Sequence, residues 1–254
     1  MTTEAHDDAA TIASFLADEA AQTRVIDVIS PNDVMHQSAP DYYFHYGRDA
    51  LRAIGLALRS DGGGRTLRTI LDFPCGHGRV LRTMRAALPT AHITACDLDS
   101  EAVDFCAATF GATPAYSDED PDRITLDGSF DLIWCGSLLT HLDHPLWPTF
   151  LGLFERVLSP HGLLVFTVHG PHIANDVRRG ARSFPLQRQE HLLKDFDETG
   201  FAYRPYIGQD GYGISMAAPA WVTSCLLQRR GLVLKAYFAR GWNRNHDVYV
   251  CAPA

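Results

Sequence analysis

The sequence predicts an α/β protein built on a doubly wound, mostly parallel seven-stranded sheet, with an antiparallel strand at its C-terminal edge. Three observations carry that expectation. Short apolar runs alternate with helix-period segments from Thr66 to Gly170, the pattern of βαβ units joined by right-handed crossovers. The run "SFDLIWCG" is apolar on both faces, as a central strand covered by helices on each side must be. The segment "LVLKAYFARGWNRNHDVYVCA" reads as two strands joined by a Gly-Trp-Asn turn, so an antiparallel pair ends the sheet.

Each element follows in order. The opening "MTTEAHDDAATIASFLADEAA" has the spacing of an acidic amphipathic helix. The aromatic stretch "DYYFHYGRDALRAI" (Asp41 to Ile54) continues helically, so residues 1–60 are expected to form a helical lid, ended by the loop "SDGGGR". In the core, residues 66–170, "TLRTILDF" is a strand and "GRVLRTMRAAL" a helix stopped by Pro89. "HITACDL" is the next strand, and "DSEAVDFCAATFG" a helix with Ser100 as N-cap and Gly111 as its stop. A short strand "TPAYS", the strand "SFDLIWCG", a helix "LWPTFLGLFERVLS" and the buried strand "GLLVFTVHG" complete it. Residues 171–220 read as irregular, apart from a helix in "RQEHLLKDFDETG" and two extended pieces around "AYRPYIGQDGYGISM". They are expected to cap one end of the sheet as an insertion. Residues 221–254 supply a terminal helix and the strand pair, so that residues 1–254 make one domain.

The totals bound the function. With 254 residues, 46% of them hydrophobic, the chain can bury a sizeable core. A formal net charge of -8 argues against a chain that lives on nucleic acid, where clustered Lys and Arg supply most of the affinity. No apolar run approaches the roughly 20 residues that span a bilayer. The N-terminus lacks the basic start and apolar centre of a secretory signal. Cys75, Cys96, Cys106, Cys135, Cys225 and Cys251 are scattered, with no CxxC and no metal-ligand spacing. Several fall inside strands, where a free thiol behaves as a small hydrophobe. The expected setting is a reduced cytoplasm, with neither membrane nor nucleic acid as partner; homodimerisation is left open.

The stretch "TILDFPCGHGRVLR" (Thr69 to Arg82) holds the first chemical signal. It runs from a buried strand through two glycines into a helix, at the carboxyl end of the strand where doubly wound sheets bind ligands. Gly76 and Gly78 permit positive φ and close approach of a ligand, and the helix expected from Arg79 turns free N–H groups toward it. A dinucleotide fingerprint needs Gly or Ala three residues after Gly78, where Leu81 stands, and a Walker loop needs Gly-Lys-Ser/Thr, which is absent. The loop therefore suits a smaller ligand with a carboxylate or a ribose. Asp97, ending "HITACD", stands where an acid accepts both ribose hydroxyls. It could equally serve as a helix cap before Asp99 and Ser100; coupled to the glycine loop one βαβ unit earlier, the ribose reading prevails.

These residues resemble the class I S-adenosylmethionine-dependent methyltransferases. "ILDFPCGHGRVL" is similar to that family's first motif, "ITACDLDSEAV" to its second, "GSFDLIWCGSLLTHL" to its fourth strand and exit, and "ERVLSPHGLLVFTVHG" to the segment leading into its fifth strand. The resemblance covers Thr69 to Gly170 and implies a Rossmann-like fold with S-adenosyl-L-methionine as cofactor and S-adenosyl-L-homocysteine as product. It implies that Asp72, Cys75, Gly76 and Gly78 meet the methionine end and that Asp97 holds the ribose. Leu98 would lie against the adenine, Ser117 and Asp118 at its edge, and Cys135, Gly136 and Ser137 beside the cofactor. Two positions depart from the family pattern: Pro74 replaces the first glycine, removing one N–H donor, and His161 stands beside Gly162 where paired glycines are usual.

Transfer from a sulfonium is an in-line displacement that needs alignment and a dry site, with a base only for a protonated nucleophile. Candidate bases at strand exits are His141 and His169, with His144 and His172 as weaker ones. Carboxylates suited to a metal are replaced by Ser137 and Thr140, so no metal is expected. Among Tyr42, Tyr43 and Tyr46, one is expected to close over the cofactor, Tyr46 foremost, with Arg48 near its carboxylate. Tyr212 in "QDGYGISM" is the expected acceptor contact in the cap. Arg178, Arg179, Arg182 and Arg188 could bind an anionic acceptor or form a solvated face. The resulting expectation is methyl transfer to a small-molecule acceptor. Alternatives are a protein or RNA methyltransferase, a non-catalytic cofactor-binding module, and a nicotinamide-dependent oxidoreductase.

Overall fold

The computed structural model describes residues 7–209 and 211–254. Met1 to His6, the start of the expected N-terminal helix, and Asp210, within the expected cap hairpin, lie outside the described residues. The N-terminal part holds α1 (Asp8–Ala17), α2 (Glu19–Gln22), α3 (Val34–Ser38) and the long α4 (Tyr43–Ser60). The core alternates β1 (Thr69–Asp72), α5 (Leu81–Ala87), β2 (His92–Asp97), α6 (Ser100–Phe110), β3 (Thr113–Tyr116), β4 (Phe130–Cys135), α7 (Trp147–Val157) and β5 (Leu158–Val168). Then come α8 (Pro171–Arg178), α9 (Glu190–Thr199), the strands β6 (Phe201–Pro205) and β7 (Gly213–Ala217), α10 (Pro219–Leu227), β8 (Leu232–Trp242) and β9 (His246–Pro253).

Seven strands form one sheet in the order β3-β2-β1-β4-β5-β9-β8. All pairings from β3 through β5 are parallel, and β9 runs antiparallel to both β5 and β8. The order reverses between β1 and β4, so their carboxyl ends flank the switch point where such sheets open a ligand crevice. Neighbouring residues on one strand feed opposite cores, as the two-residue period requires. Ile70, Leu132 and Leu163 pack with α1, α4, α5 and α6 residues such as Ile12, Leu51, Leu81 and Val103. Leu71, Ile133 and Leu164 pack with Phe150, Phe154 and Leu226 of α7 and α10 on the other face.

The cap is a third, small core of Ile173, Leu192, Phe196, Ile214 and Met216. It is more regular than its sequence suggests: Pro171 opens α8 directly after β5, and β6 and β7 form an antiparallel hairpin. Ser215 Oγ donates to the Leu139 carbonyl at 2.6 Å, and the Ala217 N–H donates to the His169 carbonyl at 2.9 Å. Those two bonds seat β7 across the exits of β4 and β5.

Three boundaries differ from expectation. The N-cap of α6 is Asp99, not Ser100; its carboxylate accepts from the N–H groups of Glu101 and Ala102 while Ser100 already has helical geometry. Helix α5 starts at Leu81 rather than Arg79, because Gly76 and Gly78 at φ +48° and +77° hold a turn open until Val80. The β8–β9 turn sits at Asn243 and Arg244, both at positive φ, so Trp242 stays in the strand, where it is buried against Trp134 at 5.3 Å. Among the described residues no helix is long and apolar enough to cross a membrane.

Candidate active site

The carboxyl ends of β1, β2, β4 and β5 deliver the candidate residues to one edge. From β1 comes Asp72, buried and with neither carboxylate oxygen hydrogen-bonded. Burial pushes its pKa well up, the Asp97 charge adds to that, and Arg79 opposes it. An unpaired buried carboxylate costs free energy unless a cation or donor meets it, so Asp72 is poised for one.

The following loop is fixed by backbone bonds: Phe73 N–H donates to the Trp134 carbonyl, Cys75 N–H to Cys96, and Gly78 N–H to Cys75. Its two glycines do different work. At Gly76 a Cβ would meet nothing within 4 Å, so this side of the loop is open. At Gly78 a Cβ would stand 2.4 Å from the Phe110 ring; its missing side chain makes room for α6 rather than for a ligand. Accordingly, Gly78→Ala is expected to cost about 2 kcal/mol by overpacking and a left-handed φ, read as a lowered urea midpoint. Gly76→Ala, which carries the same left-handed φ but no clash within 4 Å, is expected to lose less stability and to weaken cofactor binding by narrowing the space beside the loop. Equal unfolding midpoints for the two would contradict that division.

Asp97 ends β2. Its Oδ2 accepts from the Gly76 N–H at 2.7 Å and its Oδ1 from the Asp99 N–H at 3.1 Å. Burial raises its pKa, and those backbone bonds pull it back. A carboxylate offers about four lone-pair sites, so Asp97 retains acceptor capacity beyond these bonds. The helix-cap role falls instead to Asp99, and the Asp97 carboxylate ties the glycine loop to the start of α6. Leu98 beside it is exposed, and the Ser117 N–H donates to the Asp97 carbonyl, which brings Ser117 and Asp118 alongside. After β4, Cys135 and Gly136 are buried, and Ser137 at φ +67° donates its N–H to Thr167 Oγ1.

Of the lid tyrosines, Tyr42 is exposed. Tyr43 is buried, donating to Asp33 and accepting from Arg82. Tyr46 carries the Arg79 guanidinium on its ring at 4.4 Å, and the same cation lies 6.0 Å from the Trp242 ring. Arg48 is exposed, and the guanidinium brought near Asp72 is Arg79, which sequence reading passed over. Its signal was the position, directly after the second loop glycine.

The histidines separate cleanly. His144 is exposed beside Asp143, and His172 pairs with Asp176 at 3.2 Å, so both have a carboxylate partner of their own. His141 lies under the cap, stacked on Tyr212 at 4.8 Å, with Nδ1 2.7 Å from the Gly213 carbonyl. A carbonyl only accepts, so Nδ1 holds the proton and Nε2 the lone pair. His169, at the exit of β5, stacks at 4.8 Å on His246, a residue the sequence reading missed. His246 opens the strand antiparallel to β5, and that register sets it beside His169. Burial lowers all three pKa values, that of His169 to about 3.

That burial has a pH consequence. Between pH 6.5 and the lowered folded values the unfolded chain binds the protons and the fold does not, so stability falls on acidification. The raised Asp72 and Asp97 work in the opposite sense, equally in a variant. His169→Phe is therefore expected to remove about 1 kcal/mol of the stability lost between pH 7.5 and 5.5. An unchanged pH slope in chemical denaturation would show that His169 titrates alike in the folded and unfolded chain.

Among the described residues no group of three or more His, Cys, Asp or Glu side chains gathers in a metal-holding arrangement. Two surface depressions, one beside Phe15, Arg24 and Ala87 and one beside Asp122, Arg156 and Arg229, lie away from this edge.

Residues 70–162 match the family model described as "Methyltransferase domain". These residues thus form a methyltransferase domain. In sequence the chain is similar to trans-aconitate 2-methyltransferase of Deinococcus radiodurans, 31% identical over 134 residues, 52% of this chain and 50% of that protein. The match spans half or less of the length of the first such curated relatives. By fold, the chain is similar to an S-adenosylmethionine-dependent methyltransferase from Clostridium acetobutylicum, with TM-score 0.55 and 13% identity, covering 87% of this chain and 95% of that one. It is also similar to DesVI of Streptomyces venezuelae, with TM-score 0.59 and 14% identity, covering 89% and 100%.

Proposed function

We propose that the protein transfers a methyl group from S-adenosylmethionine to a small-molecule acceptor held beneath the cap. The observation that carries this is the set of groups gathered at the switch point, around a loop that matches a methyltransferase domain. There stand an unpaired buried Asp72 carboxylate, the open side of Gly76, and an Asp97 carboxylate tied to the same loop. Those features fit an amino-acid end and a ribose.

In this reading Asp97 takes the ribose diol, Leu98 lies on the adenine, and Ser117 and Asp118 meet its edge. Asp72 receives the ammonium, and Arg79, stacked on Tyr46, receives the carboxylate. Cys75 and the backbone from Cys135 to Ser137 line the sulfur side. When bound, the cofactor supplies a methyl group already activated by its sulfonium. The protein's part is alignment and exclusion of water, which the buried wall of Trp242, His169 and His246 provides. His141, with its Nε2 lone pair held outward by the Gly213 bond, and His169 are the bases available to a protic acceptor. Tyr212, on the hairpin next to His141, contacts that acceptor.

The cap of α8, α9, β6 and β7 over the strand exits favours an enclosed acceptor over a flat macromolecular one, and the trans-aconitate relative acts on a small acid. Action in the cytoplasm, without a metal and without nucleic acid as partner, belongs to the same proposal. The test is transfer of label from methyl-labelled S-adenosylmethionine into a fractionated cell extract. Label in the small-molecule fraction is the expected result; label confined to protein or RNA would overturn it.

A further inference from the structure

The four cap arginines do not share one role. Arg178 donates to Asp197 at 2.7 and 3.0 Å, and Arg179 to Asp176 at 2.6 Å, so both are spent on surface carboxylates. Arg188 is exposed. Arg182 turns inward: its Nη2 donates to the Asn245 side-chain oxygen at 2.8 Å, and its guanidinium lies 5.9 Å from the Phe184 ring. Phe184 in turn lies 6.2 Å from the His169 ring, and Asn245 immediately precedes His246. One half-buried cation therefore borders the stacked His169–His246 pair.

Three features point from that cluster to a ligand. The guanidinium of Arg182 bonds to a neutral amide, which anchors one end of a planar five-donor group and leaves donors over. Asp176, an acid that feels the Arg182 charge, is already paired with Arg179. His169 and His246 are 6% and 7% exposed, and the Nδ1 of each has no hydrogen-bond partner. Two buried unpartnered ring nitrogens beside a cation with donors to spare form a polar wall that an apolar acceptor would leave unsatisfied.

We infer that the acceptor carries a carboxylate, taken by the inward edge of Arg182, and that the His169–His246 pair contacts the same molecule. This inference rests on the methyl-transfer reading and names the class of its substrate. A guanidinium fork matches a carboxylate in geometry and charge, and it holds the acceptor by a group other than one that must stay free to react. Sequence placed Arg182 in a row of arginines; only the fold separates it from its neighbours.

The test uses the full chain saturated with S-adenosylhomocysteine and labelled with nitrogen-15 at histidine. Acetate, as the carboxylate probe, is expected to shift the His169 and His246 ring resonances saturably. Acetamide at equal concentration should not, and Arg182→Met should weaken the acetate response at least tenfold. In parallel, a panel of small hydroxy and amino acids and their carboxamides is offered with labelled S-adenosylmethionine. Turnover of acids over amides, with KM raised tenfold or more in Arg182→Met and partly restored in Arg182→Lys, is the expected result. Equal responses to acetate and acetamide, an unaltered Arg182→Met protein, or methylation of amides alone would overturn the carboxylate assignment. So would a panel in which no acid is methylated. Failure of the protein to bind S-adenosylhomocysteine at all would instead overturn the methyl-transfer reading.

Discussion

Asp97→Asn is expected to weaken S-adenosylhomocysteine binding about a hundredfold while leaving the fold standing. The carboxylate holds two backbone N–H groups, Gly76 at 2.7 Å and Asp99 at 3.1 Å, and retains acceptor capacity beyond these bonds for the ribose hydroxyls. Hydrogen bonds to a charged acceptor contribute about 1.5–3 kcal/mol each. Losing the charge on two of them removes about 3 kcal/mol, roughly two decades of affinity. Asparagine is the sharper variant, because its remaining oxygen can still serve one backbone donor. Alanine would orphan both and loosen the glycine loop along with the ligand. The readouts are calorimetric affinity and a thermal midpoint measured without ligand. A lost midpoint with the loss of affinity would make Asp97 an anchor of the loop alone; unchanged affinity would remove it from the ribose site.

Arg82→Met is expected to cost about 3 kcal/mol of stability, the largest single effect on the fold. Arg82 is 1% exposed. Its Nε donates to the Gly78 carbonyl at 3.1 Å, Nη1 to the carbonyls of Ile26 and Val28 at 3.0 Å each, and Nη2 to Tyr43 Oη and the His77 carbonyl at 3.3 Å each. The rings of Tyr43, Phe44 and Phe110 surround the guanidinium at 5.0–5.6 Å. One side chain thus ties the segment before α3, the lid helix α4 and the glycine loop together. Methionine keeps the volume but leaves four carbonyls and a hydroxyl short of a donor, and lysine cannot reach in several directions from one nitrogen. Hydrogen exchange should show residues 26–28 released before the sheet. A stability loss below about 1 kcal/mol would mean that water replaces the guanidinium without cost.

The sheet was legible because its signals are local. Strand period, apolar runs and stop residues act over a few positions, and from Thr69 to Gly170 they name β1 to β5 in order. The glycine loop and Asp97 were legible for the same reason, since the fold class fixes where the ends of β1 and β2 must lie. What escaped is what sequence separation hides. Arg82 meets Ile26 and Val28 from 56 and 54 residues away, and Trp242 donates to the Tyr46 carbonyl from 196 away. His246 gains meaning only from the antiparallel register of β9 on β5. The choice of Asp99 over Ser100 as N-cap turns on one backbone dihedral, because either side chain can fill the role. Gly78 was assigned to ligand approach, yet the ring that needs its space belongs to Phe110, 32 residues on.

The most direct measurement is calorimetric titration of the purified chain with S-adenosylhomocysteine, with NADH run in parallel. Saturable one-to-one binding of S-adenosylhomocysteine, with a Kd on the order of micromolar, and no heat from NADH are the expected results. Binding of NADH in its place would contradict the assignment of the glycine loop and of Asp97, and with them the proposed reaction.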